Sequence, residues 1–260
     1  MSFDAPGFIR EVTLIRDQVA DFEAYPFSIP AIRGLHTLKL NPRVTFLVGE
    51  NGSGKSTLIE AIAVAAGLNA EGGSRNFAFS TRNTESELNQ HLRLVRGIRP
   101  FRDGFFLRAE SFYNAATYLD ELERSGGGAY ASYGGKSLHE RSHGESFLAL
   151  LEHRFGRDAF YVLDEPEAAL SPLRQLTLLA VMDDLVNKGC QFIVATHSPI
   201  IMSFPGATIY LLSENGISEV QYEETEHFSL TRDFLNNRER YFGELFPGKP
   251  PSAPTSRSRR

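Results

Sequence analysis

Short apolar runs separated by polar, glycine- and proline-bearing stretches recur along the chain. Their lengths predict strands at 8–15, 35–40, 44–48, 105–108, 159–163, 192–195, 208–212 and 217–222. Several of these runs are unbroken, the pattern of parallel strands buried on both faces, whereas the early ones alternate and suggest antiparallel pairing. Helix-like segments stand between them at 55–66, 145–155 and 173–187. Pro172 just after Ser171 suits the start of the last of these, and Gly189 just after Lys188 suits its end. The pattern predicts an α/β fold with a mainly parallel sheet flanked by helices and an antiparallel N-terminal edge.

Between Leu68 and Arg141 the chain turns polar and glycine-rich, with "AEGGSRN" at 70–76 and "SGGGAYASYGGKS" at 125–137, which predicts an inserted, partly mobile subdomain over 68–141. The rest of residues 1–248 reads as a single domain, and 249–260, rich in proline, serine and arginine, as a disordered basic tail. Of the 260 residues 42% are hydrophobic, enough for a large packed core. A net charge of −5 gives no whole-chain attraction for nucleic acid or anionic lipid, so any such contact needs a local patch. A single cysteine, Cys190, excludes an internal disulfide and a cysteine-held zinc. The first residues, "MSFDAPGFIREV", lack the apolar core of a signal peptide, and no stretch approaches the ~20 apolar residues of a membrane span. These features predict a cytoplasmic protein with no membrane partner.

The clearest chemistry is "FLVGENGSGKSTLIEAI" at 46–62. Gly49-Glu50-Asn51-Gly52-Ser53-Gly54-Lys55-Ser56 fits G-x-x-x-x-G-K-[ST], after an apolar strand and before a helix that continues through Thr57. Glycines let the loop wrap so that successive backbone N–H groups face phosphates, the helix N-terminus adds partial positive charge, and Lys55 reaches the outer phosphates. Ser56 is placed to hold Mg²⁺. "AFYVLDEPEAALSP" puts Asp164 and Glu165 directly after a second apolar strand. Carboxylates at the C-terminal end of a parallel strand lie near such a phosphate site. Asp164 suits the Mg²⁺ shell and Glu165 suits a base for the attacking water, while Glu167 reads as a surface acid. "QFIVATHSPII" repeats the layout, bringing His197 near the outermost phosphate.

Together these residues resemble the ABC-class ATPases, in particular their soluble SMC-like and RecF-like branch, in which an apolar strand, "DEP" and a strand ending in "THSP" recur. "SRNFAFSTR" and "SHGESFLALL" are also similar to small stand-alone bacterial chains known as predicted ATPases. The resemblance implies a P-loop NTPase fold of ABC type, with ATP and Mg²⁺ as cofactors and Lys55, Glu165 and His197 as catalytic groups. It further implies a signature segment ahead of the Walker B aspartate, carried by the insertion. Ser142-His143-Gly144-Glu145 occupies that place, so that Ser142, Gly144 and Glu145 would meet the nucleotide bound by a second copy. His143 replaces the first signature glycine and Arg141 the leucine. The Q-loop glutamine is absent, which makes Glu110 the substitute ligand for metal or water. Tyr25 or Phe27 stands where an aromatic adenine platform would be.

The phosphate chemistry then serves one of several ends. The leading expectation is a soluble molecular switch, a homodimer sandwiching two nucleotides. An alternative is a DNA-repair or chromosome-associated ATPase that grips nucleic acid, supported by "HLRLVRGIRPFR", where Arg93, Arg96, Arg99 and Arg102 are spaced to line one helical face. A third is the ATPase subunit of a defence system with a separate effector protein.

Overall fold

The computed structural model describes residues 7–69, 86–109, 124 and 143–247. Contacts divide the chain into two units, Met1–Val220 and Gln221–Arg260. In the first unit the apolar runs become strands close to their expected bounds: β1 Ile9–Leu14, β2 Thr37–Lys39, β3 Val44–Val48, β5 Asp103–Arg108, β6 Ala159–Asp164, β7 Gln191–Ala195, β8 Thr208–Ser213 and β9 Gly216–Val220. One strand, β4 at Leu92–Arg96, was not foreseen.

Six of these strands form one sheet in the order β5-β6-β7-β3-β8-β9, parallel throughout except for the β8–β9 hairpin. β3, β6 and β7 are buried along their whole length, which is why their sequences do not alternate. The antiparallel N-terminal strands make a sheet of their own, β2-β1-β4. Helix α2, Lys55–Ala66, packs against β6 and β7 and also against β4, so its apolar residues serve two sheets. The other helices of this unit are α1 Pro30–Arg33, α3 His143–Arg154 and α4 Pro172–Asn187. Phe155 stacks on Tyr161 at 3.9 Å between ring centroids, closing the end of α3 onto β6. The second unit is a short hairpin of α5 Glu226–Asn236 and α6 Arg238–Leu245, joined by bonds from Asn237 and Tyr241 to the Asp233 carboxylate.

The basic run reads differently in three dimensions. Residues 92–96 are a strand and not a helix, so Arg93 and Arg96, an odd number of positions apart, do not share a face. Paired registers with β1 outweighed the helical spacing of the arginines. Within 68–141, residues 86–109 supply β4 to one sheet and β5 to the other; 70–85, 110–123 and 125–142 lie outside the described residues, as does the tail beyond 247. Among the described residues no helix is long and apolar enough to cross a membrane.

One buried side chain joins the two sheets. The Gln191 carbonyl accepts from the Ile9 N–H at 3.0 Å, and its amide donates to the carbonyls of Ile9 at 2.8 Å and Asn41 at 2.9 Å. Each bond saves a backbone group from being buried unpaired. Gln191→Leu keeps the bulk and leaves those groups without partners, so urea unfolding should show a loss of about 1–3 kcal/mol. An unchanged midpoint would show that water replaces the amide.

Candidate functional site

Because β6, β7 and β3 are adjacent and parallel, the turns that follow them stand side by side at one edge of the sheet. After β3, the phosphate loop doubles back on itself. Gly49 has φ of 145°, and a Cβ there would lie 2.3 Å from the Leu212 carbonyl oxygen, so only glycine lets the loop pass β8. Lys55 opens α2 with its ammonium donating to the carbonyls of Gly49 at 3.0 Å and Glu50 at 2.9 Å. Burial lowers its pKa, opposed by the charges of Glu165, Asp164 and Glu167. The loop therefore presents a sequestered cation facing three acids.

Ser56 donates to Asp164 Oδ1 at 3.2 Å, linking the start of α2 to the end of β6. A hydroxyl and a carboxylate are hard oxygen donors; they suit Mg²⁺, which takes few protein ligands and completes its shell with phosphate and water. Among the described residues no cluster of three or more His, Cys, Asp or Glu could hold a metal ion by itself. Ser56, Arg108, Ala109, Asp164 and Glu165 line a cleft of about 160 Å³ at this point.

Glu165 is held in the left-handed region, φ 50° and ψ 52°, an uncommon place for a residue with a side chain. Such a conformation costs on the order of 1–3 kcal/mol and persists only where its surroundings impose it. Here its N–H is bound to the Ala195 carbonyl at 2.9 Å, and its own carbonyl accepts from Ala168 at 3.1 Å. The result brings Glu165 Oε1 to 3.4 Å from His197 Nε2. Burial and the nearby Lys55 lower the His197 pKa, so at neutral pH the imidazole meets Glu165 uncharged. The turn beneath is fixed by Ser198, whose hydroxyl donates to Gln175 at 2.5 Å and accepts from the N–H groups of Ile200 and Ile201.

Glu167 is not the surface acid expected from sequence. Its Oε1 accepts the His197 N–H at 2.5 Å, and burial raises its pKa. It ties the turn after β6 to the turn after β7, a role hidden from sequence because the partner is a backbone group on another strand. Arg108, likewise unforeseen, ends β5 directly opposite Asp164.

Of the remaining sequence candidates, Phe27 is core, packed edge-on against His91 at 4.9 Å, whereas Tyr25 is 65% exposed with its hydroxyl 3.4 Å from Thr57 Oγ1. Gly144 is buried at the start of α3, where a Cβ would come within 2.5 Å of an Arg174 guanidinium nitrogen and 3.0 Å of the Ala169 carbonyl. Glu145 pairs with Arg174 at 3.0 Å. The start of α3 thus rests on the segment that follows Glu165. Glu110 and Ser142 lie outside the described residues.

Two family models match. One, described as "AAA domain", spans residues 26–115 and contains the phosphate loop; the other, "AAA domain, putative AbiEii toxin, Type IV TA system", spans 138–203 and contains Asp164, Glu165 and His197. Both models describe an AAA domain, which supports a P-loop ATPase. Each model thus takes in one half of the candidate site. No curated protein matches it in sequence. Similar solved structures include the SMC head domain from Thermotoga maritima, 17% identical with a TM-score of 0.45, covering 82% of this chain and 99% of that one. CbiO1 from Clostridium perfringens, part of the ABC transporter complex cbiONQ, is also 17% identical, with a TM-score of 0.47 and coverage of 92% and 98%.

The raised Glu167 pKa has a definite sign in stability. Its proton is held in the folded chain above the usual 4.5, so the stability this group contributes is full below 4.5 and is lost as pH rises through the folded value. Glu167→Gln keeps an oxygen to accept the His197 N–H and removes that loss. The stability of Glu167→Gln relative to the unsubstituted chain, from urea unfolding between pH 4.5 and 7, should therefore rise with pH. A flat difference would mean that Glu167 titrates normally.

Proposed function

We propose that this chain is a soluble, ATP-driven molecular switch that binds ATP with Mg²⁺ and hydrolyses it as a head-to-tail dimer of two copies enclosing two nucleotides. The observation that carries this reading is the convergence of Lys55, Ser56, Asp164, Glu165 and His197 from three adjacent turns, with Ser56 bonded to Asp164 and Glu165 facing His197. Gly49, Glu50, Asn51, Gly52, Ser53, Gly54 and Thr57 complete the cradle. On nucleotide binding, Lys55 exchanges the carbonyls of Gly49 and Glu50 for phosphate oxygens. Ser56 and Asp164 would hold the metal, which would offset the charge of the phosphates. Glu165 orients the attacking water and accepts its proton, and neutral His197 fixes the carboxylate that does so. Tyr25 is the exposed aromatic suited to stack on adenine. Glu110 is assigned to the metal or water shell.

The dimer assignment draws on the 142–145 segment, with Ser142 and the N-terminal end of α3 as an anion site for the nucleotide held by the other copy. The words "Type IV TA system" lend support to a second reading, an ATPase subunit working with a separate effector protein. The nucleic-acid reading loses its sequence argument with the helical arginine face.

Lys55→Ala should abolish turnover and weaken ATP binding. Glu165→Gln should retain ATP and slow hydrolysis by about 10²-fold or more, the scale of losing a positioned base. Size-exclusion chromatography of Glu165→Gln with ATP and Mg²⁺ should show a dimer; a monomer under those conditions counts against the sandwich.

Complementation tests the trans assignment. Ser142→Arg alone should bind ATP and hydrolyse poorly, yet recover part of its activity when mixed with Lys55→Ala, because one composite site then joins an intact cradle to an intact Ser142. Full activity of Ser142→Arg alone would reduce the segment to a helix cap.

A further inference from the structure

Arg108 stands between two carboxylates. Its Nη1 donates to Glu60 Oε2 at 2.6 Å, and its Nε lies 3.5 Å from Asp164 Oδ2. All three side chains are largely withdrawn from solvent, with exposures of 23% for Arg108, 15% for Glu60 and 7% for Asp164. Glu60 lies on α2 one turn beyond Ser56, so the two project from the same face of the helix. A continuous chain results: Ser56, Asp164, Arg108, Glu60. Asp164 presents Oδ1 to Ser56 and Oδ2 to Arg108. The guanidinium also lines the cleft beside Ser56 and Asp164.

We infer that Arg108 is a tethered counter-cation that sets the metal affinity of the Ser56–Asp164 pair, Glu60 drawing it away from Asp164. The inference rests on the assignment of Ser56 and Asp164 to the metal. A cation beside Asp164 partly neutralises the carboxylate that a divalent ion must use, and it repels that ion directly. In a half-buried site both effects are poorly screened. The distances show how the opposing pulls are set: the short, hydrogen-bonded contact is with Glu60 and the longer one with Asp164. Arg108 therefore guards the acid when no metal is bound and yields it, without leaving its tether, when a metal arrives with its phosphates. The device keeps Asp164 from sitting as an uncompensated charge and discourages capture of a metal without nucleotide.

A rival role is purely mechanical, Arg108 bracing Asp164 in the right rotamer. The two differ in sign. As a counter-cation, Arg108→Gln should tighten metal binding by about tenfold, the effect of removing one nearby positive charge, and Glu60→Gln should weaken it by freeing Arg108 for Asp164. As a brace, both substitutions should weaken it. The measurement is Mn²⁺ binding to the full chain, by electron paramagnetic resonance, with and without a non-hydrolysable ATP analogue. Circular dichroism shows whether each variant is folded, and Arg108→Met, which removes the same charge while keeping an aliphatic stem, carries the test with the same expected sign if Arg108→Gln is not. Weaker or unchanged binding in folded Arg108→Gln overturns the inference, as does tighter or unchanged binding in Glu60→Gln. If the unsubstituted chain with the analogue binds no Mn²⁺ that Ser56→Ala removes, the metal assignment fails first and takes the inference with it.

Discussion

Ala195 is paired on both sides, with Asp164 of β6 and with Leu47 of β3. That single rung levels the ends of three parallel strands. The Glu165 N–H continues it by bonding to the Ala195 carbonyl, and the Thr196 N–H by bonding to Leu47. Neighbouring strands are about 4.8 Å apart, so side chains leaving level ends need only their own length to meet. A slip of one residue would turn each strand's side chains to the opposite face and carry Asp164 away from Ser56. The fully buried faces of β3, β6 and β7 make such a slip costly.

Above this level edge, charges are arranged by mutual constraint. Lys55, Asp164, Glu165, Glu167 and His197 could not share a dry site independently, because each would meet a desolvation cost. The chain handles this group by group: Lys55 is bonded to loop carbonyls, Asp164 is flanked by Ser56 and Arg108, Glu167 accepts a backbone N–H, and His197 is neutral. Glu165 is different, projected by a left-handed turn toward His197. That strain is small beside the stability of a large sheet, and it aims the carboxylate that the proposed hydrolysis requires.

The energetic link between the two sheets is separate from the edge that carries the candidate site. β7 enters the site with Ala195 and begins at the opposite end with Gln191, whose amide binds β1 through Ile9. α2 behaves similarly, starting at the phosphate loop and packing its apolar residues between β4 and the parallel sheet. Two elements therefore couple the site to the whole first unit.

Sequence alone determined the local parts: the buried strands, α2 and α4, the phosphate loop, and the chemical types at the ends of β3, β6 and β7. These follow from short-range causes, namely apolar runs, glycines that permit positive φ, and proline and glycine at helix ends. Strand order was a different matter, because pairing joins residues far apart in the chain. It made 92–96 a strand in a separate sheet despite its helical arginine spacing, drew Glu167 into the site through a backbone N–H, and put Arg108 opposite Asp164. It also separated Tyr25, exposed beside Thr57, from Phe27 in the core, although both had the right distance from the loop. A residue's type is local information, but its neighbours across a sheet are fixed only when the register of every intervening strand is fixed.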